Sequence, residues 1–136
     1  MALKITLKPG ERMILGGAVA TNGSDGSCNL IIENKVPILR QKDILTESRA
    51  NSPCRRIYLS IQLMYIDEAN LSSYHKAYCD LVRDLTKAAP STVGLIDAIS
   101  EQIFQRNYYQ ALKLSKRLIE YEEEVIARVS GTAESV

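Results

Sequence analysis

The hydrophobic period of this chain changes once, close to Thr46, and the change bounds what the chain can fold into. Before it, apolar and polar residues alternate: in "LKITLK", Leu3, Ile5 and Leu7 are interleaved with Lys4, Thr6 and Lys8. A period of two makes a strand with one buried and one wet face. "PGE" at 9–11 supplies a turn, since proline fixes φ and glycine accepts a positive one. "RMILGGAVA" reads as a second strand in which Gly16 and Gly17 mark a bulge or a second turn. "TNGSDGS" is a flexible loop by composition, "CNLIIE" a third strand, "NK" a tight turn and "VPILR" a fourth strand. Pro37 cannot donate to a ladder, so that last strand belongs at an edge or turns Pro37 outward.

Beyond Thr46 the period becomes helical. Ser52 before Pro53 is a helix start, a hydroxyl to cap orphan N–H groups followed by a residue that has none. That helix runs to about Ile66, with Ile57, Ile61, Met64 and Tyr65 on one stripe. Leu71, Tyr74, Tyr78, Leu81, Leu85 and Ala88 define a second, which must stop near Pro90. Ser91 or Thr92 caps a third, with Leu95, Ile96, Ile99 and Ile103 inward. A fourth carries Ala111, Leu114, Leu118, Tyr121 and Val125, flanked by Leu112, Ile119 and Ile126, and ends at Gly131 before a frayed tail. The expected class is therefore α+β: a small antiparallel, barrel-like β lobe over residues 1–45, then a bundle of about four helices over 46–136. The two stand as separate lobes or share one compact domain. Together the helices carry a wider apolar stripe than so small a β lobe can cover, so a homodimer is expected.

Several classes of chemistry find no support. No apolar run approaches the roughly 18 residues that span a bilayer, and "MALKITLKPG" is unlike a signal peptide; the expectation is a cytoplasmic protein without membrane contact. Cys28, Cys54 and Cys79 contain no close pair of the kind zinc sites use, and read as small, semi-buried thiols in a reduced compartment. His75 is the single histidine and reads as a solvated surface residue; Cys79 lies one helical turn on, but no orienting third group accompanies the pair. Neither glycine-rich stretch has the spacing of a phosphate-binding loop. Glu120, Glu122, Glu123 and Glu124 read as a solvated helix face. No enzyme, metal or cofactor is expected.

What remains is a basic edge. Residues 1–57 hold nine basic and five acidic residues, while 58–136 hold eight and eleven, an asymmetry that suits a polyanion on the first half. Lys4, Thr6 and Lys8 lie on the wet face of the first strand, and Arg12 follows across the turn. On the fourth strand Val36, Ile38 and Arg40 share a face, with Lys42 just beyond. If these strands are neighbours, cations and a hydroxyl line one rim beside the open backbone of edge strands. Cations neutralise phosphates and backbone groups can bond base edges, a combination that fits single-stranded RNA. Lysine and arginine also blunt edge strands against aggregation. All seven tyrosines and the single Phe104 fall in the helical part, so the rim has no aromatic for base stacking.

"LKITLKPGERMILGGAVATNG", "LIIENKVPILRQKDIL" and "PCRRIYLSIQLMYID" resemble the FlbT family of bacterial post-transcriptional regulators of flagellin synthesis. The resemblance implies binding to the 5′ untranslated leader of flagellin messenger RNA, with translation blocked or decay promoted, and a protein partner, FlaF. Within it, "KPGERMILGG" and "VPILRQKDI" are similar in layout to the CsrA family, whose first and last strands hold RNA. Carried over, Thr6 and Arg40 fall on matching positions with Ile38 lining the strand between; Leu39 stands where that family has histidine. The candidate RNA-binding residues are thus Lys4, Thr6, Lys8, Arg12, Ile38, Arg40 and Lys42, on the β lobe, leaving the helical lobe for oligomerisation or partner binding. DNA is not an expected partner. The competing expectation is a protein-binding module that acts through FlaF or another flagellar partner without touching RNA, using Tyr58, Tyr65, Tyr108 and Tyr109.

Overall fold

The computed structural model describes residues 2–134, with side chains to residue 129. It is α+β: five short strands in two small antiparallel sheets, followed by four helices. The chain divides into two compact units, Met1–Ile44 and Leu45–Val136.

In the first unit, β1 (Leu3–Leu7) pairs only with β4 (Cys28–Ile32), Leu3 opposite Ile32 and Leu7 opposite Cys28. β2 (Arg12–Leu15) is the centre of the other sheet, between β3 (Ala18–Thr21) and β5 (Ile38–Arg40). The "RMILGGAVA" segment is two strands, and Gly16-Gly17 is the turn between them, Leu15 pairing with Ala18. Gly16 has φ +62°, which a two-residue hairpin of this hand demands at its first position. Its N–H donates to the Pro37 carbonyl at 2.8 Å, and a Cβ there would lie 3.1 Å from Val36 Cγ2. The Pro9-Gly10 turn is closed by Glu11 N–H to the Lys8 carbonyl, with Gly10 at φ +75°.

Alternation holds for Ile5 and Leu7 of β1, while Leu3, expected on the same buried face, is 50% exposed. Ile5, Leu7 and Met13 are buried together, and Leu15, Ala20, Cys28, Leu30, Ile32 and Ile38 pack on them, so that every strand contributes at least one residue. The "TNGSDGS" segment is not the flexible loop its composition suggests. Asn22 is buried at its start: Nδ2 donates to the Leu7 and Gly26 carbonyls, while Oδ1 accepts from Ser24 N–H and Oγ–H.

In the second unit α1 (Pro53–Ile66) is the hub, packed on α2 (Leu71–Ala88) and α4 (Tyr108–Glu134); α3 (Val93–Phe104) packs on α4. Ser52 Oγ accepts from Arg55 N–H and so caps α1 as expected. Ile57, Ile61 and Met64 are fully buried, and Tyr58 with them, which removes Tyr58 from any docking surface. Thr92 is the N-cap residue of α3, but neither its side chain nor that of Ser91 makes a capping bond to the helix. A 3₁₀ turn at Pro90–Thr92 runs straight into the helix, Thr92 Oγ1 donates backward to the Ala89 carbonyl, and Ser91 Oγ meets Tyr121 Oη at 2.7 Å. α4 passes through Gly131, since one helical glycine costs only about 1 kcal/mol relative to alanine and is no stop by itself; residues 135 and 136 of the expected tail lie outside the described residues. Its first half is well buried at Ala111, Leu112, Ser115 and Leu118, whereas Tyr121, Val125, Ile126 and Val129 are exposed.

The glutamate run is more than a solvated face. Glu122 accepts from Ser52 Oγ at 2.5 Å and from Cys54 N–H at 3.2 Å, and Glu123 pairs with Arg55 at 2.9 Å, so α4 closes the start of α1. Among the described residues, no helix is long and apolar enough to cross a membrane.

Candidate nucleic-acid interface

Among the described residues β1 and β5 are not ladder neighbours; each pairs with a single other strand and keeps one open edge. Register explains how they still meet. Arg40 is opposite Met13 and Ile38 opposite Leu15, so both project from the sheet face that carries the buried Met13. Ile38 is consequently half-buried against the core rather than lining a wet rim. Arg40, at the open end of the same face, reaches across to β1, and its Nη2 donates to the Thr6 carbonyl at 2.8 Å.

Around that contact lies a groove of about 460 Å³ lined by Thr6, Lys8, Glu11, Ser27, Arg40 and Lys42. Four of the seven residues expected from the sequence therefore come together. Lys4 is exposed but outside the groove lining, Ile38 belongs to the core, and Arg12 is exposed beside it, its N–H held by Gln41 Oε1 at 2.7 Å. Thr6 Oγ1 donates to Asn29 Oδ1 of the paired strand at 2.7 Å, so its hydroxyl is committed to the sheet and its carbonyl to Arg40.

Sequence reasoning missed Glu11, which it used only as the end of a turn. Its carboxylate accepts from Lys8 N–H at 2.9 Å and sits 3.4 Å from Arg40 Nη2. The Lys8 N–H holds the Glu11 carboxyl below its ordinary range against the opposing effect of desolvation, and the Arg40 guanidinium adds to the lowering. No local pattern marks it, since Glu11 stands next to Arg12 in "GER" while its partner is Arg40 of β5, 29 residues on. Arg40 is not sealed by this ion pair. Both contacts use Nη2, its side chain remains 41% exposed, and a guanidinium carries five N–H donors. Lys8 and Lys42 flank it, leaving a groove with three cations and one anion, able to take an anionic backbone and to offer a carboxylate to a donor group. Among the described residues no cluster of three or more histidine, cysteine, aspartate or glutamate side chains could hold a metal.

The family model described as "Flagellar protein FlbT" matches residues 3–126. The chain belongs to the FlbT family. It is 44% identical over 132 residues to the probable flagellum biosynthesis repressor protein FlbT 1 of Bradyrhizobium diazoefficiens, covering 97% of this chain and 90% of that one. It is 39% identical over 133 residues to the flagellum biosynthesis repressor protein FlbT of Caulobacter vibrioides, covering 96% and 94%. A probable repressor of the same name from Rhodopseudomonas palustris is 41% identical over 128 residues, 94% of this chain and all of that one. No solved structure matches. Membership of this FlbT family, at such coverage, supports a repressor role in flagellum synthesis.

Proposed function

We propose that this FlbT protein represses flagellar synthesis by binding the 5′ untranslated leader of flagellin messenger RNA in the groove between β1 and β5. It acts as a non-catalytic binder, in concert with FlaF. The observation that carries this reading is Arg40: a partly exposed guanidinium held across two edge strands, with Lys8 and Lys42 on either side. Phosphates would neutralise the lysines, and the open edges of β1 and β5 supply backbone N–H and C=O groups that can bond base edges. Replacing Arg40 with alanine is expected to weaken leader binding by about 1–3 kcal/mol, the usual range for one specific contact. An electrophoretic mobility shift with unchanged affinity for that variant rejects Arg40 as the anchor.

A further inference from the structure

The loop between β3 and β4 holds the two places in this chain where asparagine or aspartate precedes glycine, Asn22-Gly23 and Asp25-Gly26. Such pairs invite one reaction, attack of the next residue's amide nitrogen on the side-chain carbonyl carbon. Glycine obstructs it least, having no Cβ and the widest backbone freedom. In an unfolded chain the asparagine pair is the faster, because an ionised carboxylate must first take up a proton.

The fold reverses that order. Asn22 is 7% exposed, and both ends of its amide group are fully engaged. Nδ2 donates to the Leu7 carbonyl at 3.0 Å and to the Gly26 carbonyl at 2.9 Å. Oδ1 accepts from Ser24 N–H at 3.0 Å and from Ser24 Oγ–H at 2.7 Å. Turning Cγ towards the Gly23 nitrogen would break these bonds together, and burial denies the freed groups water in exchange.

Asp25 has no such restraint. It is exposed and makes no side-chain hydrogen bond or ion pair among the described residues. The Gly26 N–H, the nucleophile of the reaction, is exposed too and likewise has no partner there. The bonds that lock Asn22 therefore leave its neighbour with a free side chain and a free attacking nitrogen.

We propose that Asp25 is a site of spontaneous isoaspartate formation in the folded protein, and through it a substrate for methyltransferases that act on isoaspartyl carboxylates, while Asn22 is protected. The Gly26 nitrogen bonds to Cγ of the protonated Asp25 carboxyl. The amide proton and the carboxyl hydroxyl leave together as water, which closes a succinimide ring. Water then opens the ring on either side. Cleavage between the Gly26 nitrogen and Cγ restores aspartate. Cleavage between that nitrogen and the main-chain carbonyl carbon leaves the chain running through Cγ, one atom longer. The α-carboxylate so freed can take a methyl group from S-adenosylmethionine. The added atom enters just ahead of Ser27, which lines the basic groove, and of β4. The inference does not depend on the RNA reading.

Storage of the full chain at neutral pH and body temperature tests it, followed by trypsin and isomer-resolving mass spectrometry of peptide 13–35, which contains both pairs. Isoaspartate should build up at position 25 while Asn22 keeps its amide. In guanidinium chloride, with its hydrogen bonds gone, Asn22 should react ahead of Asp25. An isoaspartyl methyltransferase supplied with labelled S-adenosylmethionine should mark the same peptide of the stored chain. Gly26→Ala should cut that label severalfold. A Cβ at position 26 meets nothing within 4 Å and the backbone needs no positive φ, so the variant keeps the fold, which circular dichroism checks. Absence of isoaspartate at position 25 in the folded chain overturns the inference, as does an equal yield in Gly26→Ala. Loss of the Asn22 amide as fast in the folded chain as in denaturant also overturns it, because its hydrogen bonds would then give no protection.

Discussion

Arg40 Nη2 lies 2.8 Å from the Thr6 carbonyl oxygen and 3.4 Å from the carboxylate of Glu11, so one guanidinium ties the last strand of the first unit to the first strand and to the turn that follows it. The arrangement is structural and chemical at once. It bridges the two strands at the groove, and it leaves part of the arginine exposed beside Lys8 and Lys42.

Glu11 competes with any phosphate that approaches Arg40. Replacing it with glutamine keeps an acceptor for Lys8 N–H and removes the charge. Affinity for leader RNA should rise about two- to fivefold, in line with the modest strength of exposed ion pairs. Fluorescence anisotropy at fixed ionic strength reads the change; a loss of affinity would instead make Glu11 a contact to a base.

Acid should loosen the protein through two carboxylates. Glu11 is held below its usual 4.5 chiefly by Lys8 N–H, and Asp67 below its usual 3.8 chiefly by the Tyr74 hydroxyl and then Asn70. Both folded values lie under the unfolded ones, so their stabilisation is full above about pH 4.5 and is lost as pH falls through the depressed values. Urea midpoints measured across this window should fall more steeply for wild type than for the double variant Glu11→Gln, Asp67→Asn. Parallel curves would contradict the assignment.

Burial, and next the nearby Glu122 carboxylate, push the Cys54 thiol up to about 12. A mild alkylating reagent near neutral pH should modify the exposed Cys79 well before Cys54, which should react only on unfolding. Glu122→Ala should lower that thiol value while costing about 1–3 kcal/mol of stability, since Ser52 Oγ and Cys54 N–H both lose their acceptor. Mass spectrometry of labelled peptides and a denaturant titration give the two readings.

Gly16→Ala should destabilise the first unit by about 1–2 kcal/mol, through a positive φ that L-residues resist. The new Cβ also crowds Val36 Cγ2 at 3.1 Å. Gly10→Ala shares the φ penalty but meets nothing within 4 Å, so it should cost less. Thermal melts of the two variants side by side check the order.

Local periodicity carried most of the fold. Ile5 and Leu7 of β1 and most of the stripes of α1 and α3 follow from spacing, because burial on one face is a property of consecutive residues, whereas Leu3, in phase with them, is 50% exposed. Pairing is not. Of "VPILR" only Ile38–Arg40 is strand, its partner is β2 and not β1, and only register shows that Ile38 turns into the core while Arg40 escapes at its end. Asn22 and Glu122 looked like loop and surface residues because their partners, Leu7 in one case and Ser52 with Cys54 in the other, are 15 to 70 residues distant. His75, expected in solvent, has its Nε2 out of contact with water and without a hydrogen-bond partner.

The most direct measurement is ultraviolet cross-linking of the full-length protein to flagellin leader RNA, with the adducts located by mass spectrometry and binding followed from roughly 50 to 200 mM salt. Adducts on peptides that contain Thr6, Lys8, Arg40 or Lys42, with affinity falling steeply as salt rises, are the predicted result. Adducts confined to the helices, or an affinity indifferent to salt, would contradict a transcript held between β1 and β5.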